Sequence, residues 1–137
     1  MKSIQECYPE LWEQDSDDWW APCNYQPILD SFGYKILIQV DDSDYQGDSR
    51  VLYRDGDRYG YLQFGWGSCS GCDALQACSS VGEVESLQHQ LHRAIRWFGS
   101  KDECLKFFQD HDWEGEYSWH EDGQREFIQK VICLLGA

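Results

Sequence analysis

The chain predicts an α+β fold, with strands first and helices after. Residues 34–65 alternate apolar and polar positions and contain Asp55-Gly56, a two-residue hairpin signal, because glycine accepts the positive φ such a turn requires. From residue 80 onward the apolar period changes to that of a helix. Three segments there open with Ser followed three residues later by Glu: Ser80…Glu83, Ser100…Glu103 and Ser118…Glu121. At that spacing the two side chains each take a backbone N–H that a helix start leaves unpaired. Together these observations predict a three-stranded antiparallel meander over 34–65, a short helix, and three C-terminal helices packed on one face of the sheet.

Each element has its own warrant. Ser3-Ile4-Gln5-Glu6 can open a short helix, which Pro9 limits, and Pro22 and Pro27 argue for irregular chain. Tyr34, Ile36, Ile38 and Val40 share one face of a strand, and DDSDYQGD (41–48) is a polar loop. SRVLYR and RYGYLQF form the hairpin around Asp55-Gly56. Asp73 to Ala77 suit a short helix. The first long helix carries Val84, Leu87, Leu91, Ile95 and Phe98 on one stripe, with Gln88, His89, His92, Arg93 and Arg96 on the other. The second, near 101–110, buries Cys104, Leu105, Phe107 and Phe108. The third buries Phe127, Ile128, Val131, Ile132 and Leu135 and ends at Gly136, read as a C′ glycine. No repeat, low-complexity tract or linker interrupts the chain, so residues 1–137 read as a single domain.

Composition narrows the function. An apolar share of 42% excludes a disordered chain, and an aromatic share of 15%, with seven Trp and eight Tyr, exceeds what so small a core absorbs. Surplus Trp and Tyr are partner anchors, and they allow self-association. The formal net charge is −14. Residues 1–48 hold eleven acidic residues and only Lys2 and Lys35, a balance of −9. Such a chain repels nucleic acid and anionic membranes and attracts basic surfaces. The start of the sequence lacks the apolar region of a signal peptide, no apolar run reaches membrane-span length, and a cytosolic location is expected. An odd cysteine count, seven, fits free thiols in a reducing compartment.

GWGSCSGCDALQAC (65–78) concentrates the cysteines where a strand hands over to a helix. Cys69 and Cys72 form a C-x-x-C. A thiol at a helix start has a lowered pKa, and the turn resembles the active-site turn of thioredoxins, in which W-C-x-x-C follows a strand and opens a helix. Here Gly67 and Ser68 separate Trp66 from Cys69, no parallel β-α-β pattern precedes the turn, and no later X-Pro stands where that family has its cis proline. Cys69 and Cys72 are also two of the four ligands a structural zinc requires. Cys78 is a poor third, because six helical residues turn it about 240° away from Cys72. The remaining ligands would come from Cys7, Cys23, Cys104, His89, His92, His111 or His120. In the third reading the turn is structural: Gly65, Gly67 and Gly71 let the backbone bend, Trp66 packs, and Cys78 belongs to the core.

The stretch from Tyr45-Gln46-Gly47-Asp48-Ser49-Arg50 through GWGSCSGCDALQAC resembles a segment of small uncharacterised bacteriophage and mobile-element proteins. The resemblance spans about residues 45–80. It implies a phage origin and brings no activity and no site residues.

No Walker, dinucleotide or G-x-S-x-G motif is present, so the chain reads as a binding protein rather than an enzyme. Its size and charge resemble those of anti-CRISPR, anti-restriction and nuclease immunity proteins. The expected partner is a basic protein, a nuclease or defence-complex subunit, whose Lys/Arg channel the carboxylates would meet. The expected contacts are Asp15, Asp17, Asp18, Trp19, Trp20, Asp41, Asp42, Asp44 and Trp113. No cofactor is expected on this reading. The alternative is a zinc-binding or thiol-redox protein built on Cys69 and Cys72.

Overall fold

The computed structural model describes residues 1–12, 19–43, 46–67, 73–113 and 121–137, without the side chains of Trp12 and Glu121. The elements are α1 (Ile4–Cys7), a 3-10 turn (Pro9–Trp12), α2 (Gln26–Ser31), β1 (Lys35–Asp41), β2 (Gly47–Asp55), β3 (Arg58–Trp66), α3 (Val81–Ala94), β4 (Arg96–Phe98), α4 (Lys101–Asp110) and α5 (Glu121–Leu135). The fold is α+β, with one four-stranded sheet in the order β1-β2-β3-β4. Contacts gather into two compact units, each made of two chain segments: Met1–Tyr34 with Trp66–Ala94, and Lys35–Gly65 with Ile95–Ala137. No helix among the described residues is long and apolar enough to cross a membrane.

The first unit is helical. Ser3 Oγ accepts the Glu6 N–H and starts α1, as its spacing predicts. Ser80 Oγ accepts the Glu83 N–H at the start of α3, and the Glu83 carboxylate reaches back to the Ser79 N–H and hydroxyl. Those bonds hold Glu83 below the usual carboxylate range. Val84, Leu87 and Leu91 are the buried stripe of α3. Gln88, expected on the opposite face, is instead buried with them, because its amide finds partners there: it donates to Lys2 O at 2.8 Å and Ser31 Oγ at 2.9 Å, which ties α3 to the start of the chain and to α2.

The second unit holds the meander. The β2–β3 turn places Gly56 first, at φ +60°, and Asp57 second, with no positive φ, as a type II′ turn requires. The predicted Asp55-Gly56 turn is therefore displaced by one residue. In β1 a bulge at Leu37 interrupts the alternation. Ile36 faces Tyr53 and Ile38 faces Leu52, so Ile36 is on the opposite face from Ile38 and Val40. The core comprises Val40, Leu52, Tyr59, Phe98, Cys104, Phe108, Phe127, Val131 and Leu135, which places α4 and α5 on one face of the sheet. Ser100 caps α4 through the Glu103 N–H.

Three expectations need correction. The helix predicted through Phe98 stops at Ala94, and Arg96–Phe98 becomes β4, paired with Tyr59–Tyr61. The three-residue spacing of Ile95 and Phe98 is helical, and pairing with the edge of β3 overrides it. Residues 74–77 form a turn rather than a helix of any length. Gly136 has no positive φ, and its N–H donates to Ile132 O at 2.8 Å. The box at Ser118 lies outside the described residues.

Candidate functional site

The acidic loop is divided between interior and solvent. Asp41 is exposed and accepts the Gln39 amide at 3.0 Å. Asp42 is turned inward: one oxygen accepts the Asp48 N–H at 2.7 Å, and the other takes Arg50 Nη1 at 3.2 Å. The Arg50 side chain has no exposed surface, and Asp48 Oδ2 lies 3.5 Å from its Nη2. This ion pair closes the loop between β1 and β2, so the Asp42 carboxylate is engaged internally. Asp44, like Asp15, Asp17 and Asp18, lies outside the described residues.

The frame of the cysteine turn is built on Asp73, which is 4% exposed. Its Oδ1 accepts the Tyr25 hydroxyl at 2.9 Å and the N–H groups of Leu75 and Gln76. Its Oδ2 accepts the Gly67 N–H at 3.0 Å, and the Gln76 amide donates to Gly67 O. The residues on either side of 68–72 are thereby clamped together. The two N–H groups taken by the Asp73 side chain are those a helix N-cap satisfies, and the Ala77 N–H donates to Asp73 O at 3.0 Å, so residues 74–77 make a single capped turn. Cys69 and Cys72 lie outside the described residues. Cys78 is buried, donates its thiol to Ala74 O, and is pushed up in pKa, first by burial and then by Glu83 and Asp73. Among the described residues no group of three or more His, Cys, Asp or Glu is placed to hold a metal ion.

The aromatic candidates fall in two places. Trp19 is half-buried and donates its indole N–H to Cys78 O at 3.0 Å, while Trp20 is 47% exposed. Trp113 follows the C-terminal end of α4 and is half-buried in an aromatic cluster packed against the core. Its ring stacks on Phe108 at 5.4 Å, meets Tyr61, Phe107 and His111 edge-on, and donates its N–H to Phe108 O. Phe107 and His111 lie 4.8 Å apart, centroid to centroid. Asp110 and Asp112 are exposed on either side of His111, and no basic residue occupies the last turn of α4. Acid at that end opposes the helix dipole, and the Arg96 guanidinium lies 4.3 Å from the Phe107 ring.

The chain matches no family model, no curated protein and no solved structure in comparisons with each. Of the predicted contacts, the structure brings Trp113 into an aromatic cluster and sets Asp41 and Trp20 at the surface. Sequence reading missed Tyr61, Phe107 and His111 as neighbours of Trp113, because they come from β3 and α4.

Proposed function

We propose that this chain is a small acidic partner-binding protein that inhibits a basic nucleic-acid-processing protein, in the manner of anti-CRISPR, anti-restriction or immunity proteins. The observation that supports this reading is Trp113, a ring already fixed by four aromatic neighbours and rimmed by exposed Asp110 and Asp112. A fixed ring loses little freedom on binding, and its carboxylate rim orients a cationic partner. The partner would be a nuclease or defence-complex subunit with an exposed Lys/Arg channel. The test is a salt-graded pull-down against basic nucleases with Asp110→Lys/Asp112→Lys and Asp15→Lys/Asp17→Lys/Asp18→Lys variants. Capture should weaken steeply with salt and fall in the variants. Capture indifferent to both would sink the reading.

A second reading, a zinc or thiol site on Cys69 and Cys72, draws support from the Asp73 clamp, which holds the ends of 68–72 together before any ligand binds. Native mass spectrometry of chelator-free protein tests it. A mass excess of one zinc, lost on denaturation, supports the site, and a metal-free protein with all thiols alkylated removes it.

A further inference from the structure

Among the described residues, positive charge gathers at the hairpin end of the sheet. Every basic residue except Lys2 and Arg93 falls in the second unit. Each of its strands supplies one exposed cation there: Lys35 from β1, Arg54 from β2, Arg58 from β3 and Arg96 from β4. Lys35 and Arg54 are direct cross-strand partners. Strands lie about 4.8 Å apart, so the Lys35–Arg54 row continues across the sheet into Tyr59 and Phe98, which are themselves paired. Arg96, paired with Tyr61, stands two residues further along, about 7 Å away.

The three arginines are held in place by aromatic rings. The Arg54 guanidinium lies 5.8 Å from the Tyr59 ring, Arg58 lies 4.4 Å from Trp97, and Arg96 lies 4.3 Å from Phe107 and 5.6 Å from Phe98. Arg54 Nε is further fixed on Gly56 O, and Arg58 is fixed on Asp55 at 2.6 Å. Like charges directly opposite one another, as at Lys35 and Arg54, oppose strand pairing and are relieved by an anion between them. Stacking leaves the edges of a guanidinium open to paired hydrogen bonds with a carboxylate.

We propose that this sheet end is a second docking surface, which receives an acidic segment of a partner protein through Lys35, Arg54 and Arg96. A nucleic-acid strand is the less suitable anion. It brings a continuous line of phosphates against a net charge of −14, and Asp55 and Asp57 stand among the cations. An acidic peptide presents separated carboxylates that fall on individual side chains and pass the two aspartates. The surface adjoins the Trp113 cluster at Phe107, on which Arg96 stacks, but takes an acidic occupant where the partner proposed for Trp113 is basic.

The experiment titrates the full chain into a fluorescein-labelled oligoglutamate peptide, and in parallel into an oligothymidylate of equal charge, at low and at physiological salt. The peptide should bind at low salt, weaken as salt rises, and shift the Gly56 amide and the Arg54 and Arg96 Nε–H signals in NMR. Arg54→Glu/Arg96→Glu should weaken it by about tenfold or more, and Arg96→Lys, which keeps the charge and loses the planar fork, should weaken it by less. Lys101→Glu, elsewhere in the same unit, should leave it unchanged, and thermal melts verify that each variant folds. Absence of peptide binding at low salt overturns the proposal, as does binding that survives the double reversal. Tighter binding of the oligothymidylate at the same residues overturns it in favour of a nucleic-acid surface. The Asp110→Lys/Asp112→Lys variant, which tests the other surface, should still bind the peptide.

Discussion

Replacing Gly123 by Ala should destabilise the protein, although the residue lies in a helix, where alanine is normally the better choice. Gly123 is in the first turn of α5, directly over the Asp42–Arg50 ion pair. A Cβ built there falls onto Asp42 Oδ1 and lies 3.0 Å from Arg50 Nη1. Asp42 has no free side to move to, since its other oxygen holds the Asp48 N–H and its Cβ already crowds Gly47. Helix propensity favours alanine by at most about 1 kcal/mol. Separating a buried ion pair costs about 3–5 kcal/mol. The net loss is about 2–4 kcal/mol, which lowers the urea midpoint by about 1–2 M at an ordinary slope. Gly82→Ala is the control, because its Cβ meets nothing nearer than Ser80 Oγ at 3.8 Å and should gain up to about 1 kcal/mol. Urea unfolding followed by far-UV circular dichroism measures both. A Gly123→Ala protein at or above the wild-type midpoint, with an unchanged slope, would refute the claim that α5 docks on this ion pair.

Other outcomes follow from the same geometry. His92 stacks against Tyr34, accepts or donates at its hydroxyl at 2.9 Å, and is held below the usual imidazole range by burial, His89 and the amino terminus. The unfolded chain therefore takes up the proton first, and the contribution of His92 is complete above the ordinary imidazole pKa and lost as pH falls through its lower folded value. Urea midpoints measured from neutral to mildly acidic pH should fall, and His92→Phe should flatten that part of the profile. Tyr25→Phe removes the hydroxyl that donates to Asp73 and accepts from Leu75 N, and should cost about 1–3 kcal/mol in the same assay. Cys104 is fully buried, and desolvation pushes its thiol up to about 12, whereas Cys23 and Cys133 are exposed. In a timed alkylation read by peptide mass, Cys23 and Cys133 should label in the native protein and Cys104 only on unfolding. Early labelling of Cys104 would contradict the packing of α4.

What the sequence determined by itself is whatever depends on near neighbours in the chain. The caps at Ser3, Ser80 and Ser100 are three-residue matters, and each serine accepts the N–H that its spacing assigns. The hairpin was legible because glycine at 56 marks a positive φ, although its register slipped by one residue. The apolar stripe of α5 was legible because Phe127, Val131 and Leu135 repeat at helical spacing. The net charge of −14 needed no structure at all.

What only the tertiary structure decided depends on groups far apart in sequence. Ile95 and Phe98 repeat at helical spacing, and the hydrogen-bonding edge of β3 made Arg96–Phe98 a strand. Asp42 reads as one more loop carboxylate until Arg50 and the first turn of α5 remove it from water. Trp113 was fixed in an aromatic cluster, and Arg54, Arg58 and Arg96 each found a ring to stack on, when separate strands and α4 came together. The physical reason is common to all of these. Local hydrogen bonds and periodicity are written within a few residues, whereas burial and charge pairing belong to whichever distant groups the packed chain makes adjacent.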